Sequence, residues 1–214
     1  MTPSLRGSAG AGCGPGPALV AFDTTGFEPS GDGRWFNPRN RVVVVLTVHE
    51  ALPTAPVWLD DLGTLRRELA LRHSKTRHDE AGVLLEADAV SIGGVRALYM
   101  LVEETLPSNP RGCQYRASFV LAKKSRTVVL RGQFEELGMT GARHVLALMR
   151  GGGGGGVGKV SHPDTPELQY DAALIPELDA MVPEHALSMA RAWARSVSRS
   201  AVVDRDFAAE PDHA

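Results

Sequence analysis

The chain has 214 residues, of which 43% are hydrophobic and 22% charged, and its formal net charge is −2 at pH 7. That length suits one domain with appendages, and the apolar share is enough to bury a core, so disorder over the whole length is excluded. The near-neutral charge argues against a generic nucleic-acid binder, and no apolar run reaches the roughly 18 to 20 residues of a membrane-spanning helix.

Residues 1–33 are rich in Gly, Pro and Ser and poor in large apolar side chains. Too little apolar surface is available there to offset chain entropy, so a mobile leader is expected, with a short strand around residues 18–22 and a turn at Gly31-Asp32-Gly33. The two cysteines, Cys13 and Cys113, read as reduced thiols. Cys13 lies in the leader, and residues 1–8 lack the apolar stretch of a secretory signal. A cytoplasmic location is the expectation. The alternative is a lipoprotein anchored through Cys13, because Ala9-Gly10-Ala11-Gly12 are the small residues that precede a lipidated cysteine.

Residues 42–48 read Val-Val-Val-Val-Leu-Thr-Val. The β-branched side chains favour an extended chain, and the lack of alternation predicts an interior strand buried on both faces. Pro53 and Pro56 break it. With Thr54 as N-cap and Pro56 in the first turn, a helix is expected to run to about Ser74. Trp58, Leu62, Leu65 and Leu69 give it one apolar stripe, expected to face the sheet that holds residues 43–45. Asp60 and Asp61 near its start and Arg72, His73 and Lys75 at its end suit the helix dipole.

Strands over 82–88 and 89–92 lead into Gly93-Gly94, a pair that can take the positive φ angles of a two-residue hairpin, and 95–104 is the return strand. After a loop at Pro107, Asn109 and Pro110, a second hairpin joins 114–122 to 127–134 around Lys123-Lys124-Ser125-Arg126. Thr140 caps a further helix, with Ala142, Val145 and Met149 as its inner face, and the six glycines 151–156 end it. No periodic pattern resumes until Pro183. From there Ala186, Ala190, Trp193 and Val197 define an amphipathic helix, with Arg191, Arg195 and Arg199 along another face.

Charge divides unevenly. Before residue 164 there are 19 basic and 15 acidic residues, and from 164 onward 4 basic and 10 acidic. An acidic tail that folds back on a basic body is expected. The organisation predicted is a leader (1–33), an α+β domain (34–150), a Gly-rich linker (151–163) and an acidic C-terminal extension with one amphipathic helix (164–214).

The order strand, helix, hairpin, hairpin, helix over residues 42–150 resembles the PsbP-like superfamily, which includes the photosystem II extrinsic protein, a Ran-binding nuclear import factor and small bacterial proteins. Three features carry the resemblance. They are the apolar strand followed by Trp58-Leu59-Asp60, the hairpin Val90-Ser91-Ile92-Gly93-Gly94-Val95 with Tyr99 beyond it, and Gln133-Phe134-Glu135-Glu136 leading to Thr140-Gly141 at a helix start. The resemblance implies an antiparallel β-sheet with helices packed on both faces, and a non-catalytic binding or assembly role. The family shares no active site, so no functional residue carries over. The leader and the glycine run have the composition of a GC-rich, bacterial coding sequence.

Several chemical patterns in the sequence are undone by their surroundings. Gly153-Gly154-Gly155-Gly156-Val157-Gly158-Lys159 fits the phosphate-loop pattern G-x-x-x-x-G-K, but Val160 replaces the magnesium-binding Ser or Thr, and the loop follows a helix instead of a strand. A flexible linker is the better reading. His162-Pro163-Asp164 matches the co-chaperone J-domain tripeptide but lacks the flanking antiparallel helices, so it reads as a turn. His49-Glu50 starts a zincin-like pattern that Pro53 interrupts. His73, His78, Asp79 and Glu80 form a polar cluster, yet a five-residue spacing separates the two imidazoles on a helix. Glu103-Glu104, Glu135-Glu136 and Asp60-Asp61 do not converge on one point by spacing. Trp58 and Trp193 fall on apolar stripes and read as core anchors.

No catalytic residue, cofactor site or metal site is therefore expected. The sequence points to a non-enzymatic protein-binding or accessory, chaperone-like module acting on a protein partner. Arg191, Trp193, Arg195 and Arg199 are its candidate contacts. The alternative is an enzyme with a polar site near His73, His78, Asp79 and Glu80.

Overall fold

The computed structural model describes residues 19–50, 61–75, 83–106, 109–136, 141–150, 158–162 and 165–212. Eleven strands are present among them: β1 (Val20–Ala21), β2 (Glu28–Pro29), β3 (Arg34–Asn37), β4 (Val42–Glu50), β5 (Val83–Ile92), β6 (Val95–Leu106), β7 (Asn109–Ala122), β8 (Arg126–Glu135), β9 (Lys159–His162), β10 (Thr165–Asp171) and β11 (Val202–Val203). The helices are α1 (Leu62–Lys75), α2 (Ala142–Arg150), α3 (Ala186–Ser200) and α4 (Arg205–Ala209), with two 3-10 turns at Ala172–Leu174 and Pro176–Leu178. None of these helices is long and apolar enough to cross a membrane.

The fold is mixed α+β, built on a seven-stranded antiparallel sheet in the order β2-β3-β4-β8-β7-β6-β5. The two-residue turn between β5 and β6 is as expected: Gly93 and Gly94 have φ of 53° and 84°, which glycine adopts without steric cost. The expected strands 82–88 and 89–92 are one strand, β5, interrupted by a bulge between Leu84 and Glu86. The expected loop at Asn109 and Pro110 is already the start of β7.

The first strand differs from its expectation. β4 is interior, paired with β3 and β8, but only alternate residues are fully buried: Val42 and Val44 are, while Thr47 and Val48 lie in solvent. β3 reaches only as far as Val45, so the later half of β4 has a neighbour on one side.

Leu65, Leu69 and Ala70 of α1 pack with Leu84, Ala87, Leu98 and Val102. The stripe faces inward as expected, but it meets β5 and β6 at the far end of the sheet from residues 43–45. Asp61 caps the helix, with Oδ1 accepting from the Thr64 amide at 3.0 Å and Oδ2 from its hydroxyl at 2.7 Å. Thr54, Pro56, Trp58 and Asp60 lie outside the described residues. A larger cluster gathers Ala190, Trp193 and Val197 of α3 with Ala97, Tyr99, Leu101, Ala117, Phe119, Leu130 and Phe134. Successive residues of β6 alternate between the two clusters.

The flanks join this core. Val20, inside the stretch expected as a leader, is 1% exposed and pairs with Val203. The Asp204 amide donates to Leu19 O at 2.9 Å, and Phe207 of α4 is fully buried. Ordered structure therefore extends beyond 34–150 at both ends. Part of the expected linker is also a strand, since β9 pairs with β10, while 151–157 and 163–164 are outside the described residues.

The acidic tail meets basic partners, as its charge predicts. Lys123 Nζ lies 2.7 Å from Asp212, Arg126 Nε 2.6 Å from Glu210, and Arg143 Nη1 2.8 Å from Asp179.

α2 contradicts its expected inner face. Val145 and Met149 are 52% and 74% exposed, and its buried residue is Arg143, at 1%. The helix is held by hydrogen bonds of the guanidinium, not by its apolar stripe.

Candidate functional site

Two buried arginines meet on one carboxylate. Arg143 of α2 donates through Nε to Ala173 O (2.6 Å), through Nη1 to Asp179 Oδ1 (2.8 Å) and Ser188 Oγ (2.8 Å), and through Nη2 to Ile175 O (2.5 Å). Arg191 of α3 donates through Nη1 to the same Asp179 oxygen (3.0 Å), through Nη2 to Leu174 O (2.7 Å) and through Nε to Glu86 Oε1 (2.5 Å). The Tyr99 hydroxyl completes the chain by donating to Glu86 Oε2 at 3.0 Å. Burial, reinforced by the Glu86 charge, pushes the Tyr99 hydroxyl well above the usual phenol range, so it remains a donor at neutral pH. Buried charges persist only when paired and hydrogen-bonded, and here each donor has an acceptor on a different element. The network thereby locks α2, the 3-10 turns, α3, β5 and β6 together.

Outside this network, α3, the edge of β5 and Arg66 of α1 enclose a groove of about 720 Å³. Leu85, Val90, Pro176 and Ala194 supply apolar wall, and Glu86, Tyr99 and Arg191 form the floor. β5 is the last strand of the sheet, so its outer backbone groups need cover. Arg66 provides it: Nε donates to Ala87 O at 2.7 Å and Nη2 pairs with Asp88 at 3.0 Å. On the opposite rim, Arg195 and Arg199 are exposed and make no ion pair among the described residues.

A second recess of about 820 Å³ is bordered by Asn40, Glu136, Met181, His185 and Met189. His185 caps α3: its Nδ1 accepts from the Leu187 amide at 3.1 Å, which leaves Nε2 to donate to Glu136 Oε1 at 3.1 Å. Burial raises the Glu136 carboxyl, but the hydrogen bonds from His185 and the Gly141 amide outweigh it and hold the carboxyl below its ordinary value. Near it, burial pushes Glu103 up, and burial together with Glu103 pushes the Cys113 thiol to about 12. Cys113 is thus a protonated thiol at neutral pH and a poor nucleophile. Among the described residues no grouping of His, Cys, Asp and Glu can hold a metal ion.

The four contact residues foreseen from the sequence divide. Arg195 and Arg199 lie in solvent on the groove rim. Arg191 belongs to the same row of α3, but it turns inward because Glu86 and Asp179 stand there to receive it. Trp193 is 9% exposed and packs its ring on Phe119 and Phe134, at centroid distances of 5.9 and 5.8 Å, so it is a core residue. Of the alternative cluster, His73 falls in the last turns of α1, while His78, Asp79 and Glu80 lie outside the described residues. Lys159 is an exposed residue of β9, downstream of α2, which is the reverse of the strand-to-helix order that a phosphate loop needs. Sequence reading missed Glu86, Tyr99, Arg143 and Asp179. Their partners lie up to 105 residues away, so no local spacing marks them.

Among known proteins, no family model matches the chain and no curated protein shows significant similarity to it.

Proposed function

We propose that the chain is a cytoplasmic, non-enzymatic protein-binding or accessory module of the chaperone-like kind, acting on a protein partner. The fold we assign to it is a PsbP-like sandwich with α1 on one face of the sheet and α3 on the other. Support for the sandwich comes from β6, where Ala97, Tyr99 and Leu101 join the α3 cluster while Leu98 and Val102 join the α1 cluster; neighbours along a strand point to opposite faces. Support for binding comes from one observation. The groove at the β5 edge has apolar walls, and its acids Glu86 and Asp88 are already paired with Arg191 and Arg66. An enzyme site needs polar groups that converge on a reacting atom with capacity to spare. This groove offers apolar surface beside a charged rim, which is the anatomy of a protein contact.

A peptide-display library panned on the pure full-length protein tests the reading. Enriched peptides are expected to crosslink to residues 85–90 of β5 and 194–199 of α3. A library that enriches nothing, or peptides that crosslink only elsewhere, sinks it.

A further inference from the structure

Arg195 and Arg199 stand four residues apart on the exposed side of α3, at the rim of the groove, without an ion pair among the described residues. Like charges at this spacing repel on a helix. Carboxylates brought by a partner at the matching separation relieve that repulsion and gain two charge-assisted contacts.

The shape of the occupant follows from the other rim. A strand added to β5 would need the outer backbone groups of that edge, but Ala87 O is taken by Arg66 and the strand is bulged between Leu84 and Glu86. An occupant whose backbone hydrogen bonds are satisfied internally avoids this obstacle, and a helix is such an occupant. Leu85, Val90, Pro176 and Ala194 then receive its apolar stripe.

Among the described residues, no acid of the chain pairs with Arg195 or Arg199. The acids Asp179, Glu210 and Asp212 of the tail are engaged by Arg143 and Arg191, by Arg126, and by Lys123. Residues 1–18 contain no Asp or Glu.

Building on the protein-binding reading above, we propose that the groove between α3 and β5 receives an acidic amphipathic helix of a partner protein, with two carboxylates one turn apart on Arg195 and Arg199. The test uses a fluorescein-labelled Ala/Leu helical peptide of about 20 residues, long enough to hold helix in water, with Glu at i and i+4 beside a Leu stripe. Two further peptides replace both Glu by Gln or by Lys. Anisotropy is read on the full-length protein and on the Arg195→Glu/Arg199→Glu variant, whose changes lie at exposed positions.

The Glu peptide is expected to bind wild type, with affinity falling as salt rises. Removing the peptide's charge or reversing the protein's should weaken binding roughly tenfold or more, and the Lys peptide should prefer the charge-reversed variant. Equal binding of Glu and Gln peptides, or a Lys peptide that shows no preference for the variant, overturns the inference. So does self-association of the wild type that the double variant abolishes while no peptide binds. If display peptides crosslink to the groove yet carry no acids, the binding module stands and only the acidic helix falls; if nothing crosslinks there, both fall.

Discussion

In α3 the apolar residues Ala190, Trp193 and Val197 are buried, whereas in α2 Val145 and Met149 stand in solvent and the buried side chain is a guanidinium. Both helices show an apolar stripe in sequence, so the stripe alone does not decide which side turns inward. α3 has 15 residues, a capping His185 and a sheet surface shaped for it. α2 has nine residues, and its tightest hold is the fan of four hydrogen bonds from Arg143 to Ala173, Ile175, Asp179 and Ser188. A short helix presents too few side chains for packing to fix its rotation, and several charge-assisted bonds at one point then outweigh a modest apolar stripe.

The sharpest way to break this comparison is to remove the shared acceptor. Asp179→Ala leaves the buried Arg143 guanidinium with no carboxylate and Arg191 with Glu86 alone, and should cost about 3 to 5 kcal/mol in urea unfolding. By contrast, Met149→Gln, on the stripe of α2, should stay within about 0.5 kcal/mol of wild type. If Asp179→Ala costs less than Met149→Gln, α2 is held by its stripe after all. A double variant, Asp179→Ala with Arg143→Met, should recover part of the loss, because the unpaired buried charge on α2 is removed as well.

A smaller effect is expected where α3 lies on the sheet. A methyl group at Gly132 of β8 would come within 2.8 Å of the Phe134 ring and 3.0 Å of Trp193 Cζ3. Both rings are held by the core, so Gly132→Ala should cost about 1 to 3 kcal/mol. Combining it with Trp193→Phe, which removes the ring that carries Cζ3, should cost less than the sum of the two changes. Strict additivity would mean that the tryptophan does not sit where α3 needs the glycine.

The parts of this fold that were legible in the sequence are those set by local period and turn chemistry. Leu65 and Leu69 on α1, Ala190 and Val197 on α3, and the Gly93-Gly94 turn all follow from neighbours within a few residues. What was not legible depends on partners far along the chain. Arg191 and Arg195 occupy equivalent positions in the helical repeat, yet Glu86, a hundred residues away, buries one and leaves the other in solvent. Arg143 reads as a surface residue until the carbonyls of the 3-10 turns are in place. The short strand at Val20 was legible, but its partner Val203 was not, because that residue lies at the other end of the chain. The groove was half legible: its rim arginines stand out by spacing, whereas its walls come from β5, Pro176 of the second 3-10 turn and Ala194 of α3, which only the tertiary fold brings together.

The smallest expected effects come from two carboxylates that sit near α2 and differ in how burial is answered. Glu136 accepts from the Gly141 amide just before α2, at 3.4 Å, and from His185 at the start of α3, so its folded pKa lies below the ordinary 4.5. Its contribution is therefore present above pH 4.5 and lost as the pH falls through the folded value. Glu103 has burial as its leading influence, which raises its pKa above 4.5 despite the hydrogen bond from Cys113. Its contribution runs the other way, full below pH 4.5 and lost as the pH rises through the folded value. Glu136→Gln should thus lower the melting temperature at pH 7, with a deficit that shrinks toward pH 3.5. Glu103→Gln should gain on wild type as the pH rises over the same interval, since the amide never has to be ionised in the core. Melting curves of the two variants against wild type between pH 3.5 and 7.5 check both signs at once. Parallel pH profiles for the two variants would show that His185 and Gly141 do not offset burial at Glu136, and the link between the starts of α2 and α3 would then not depend on an ionised carboxylate.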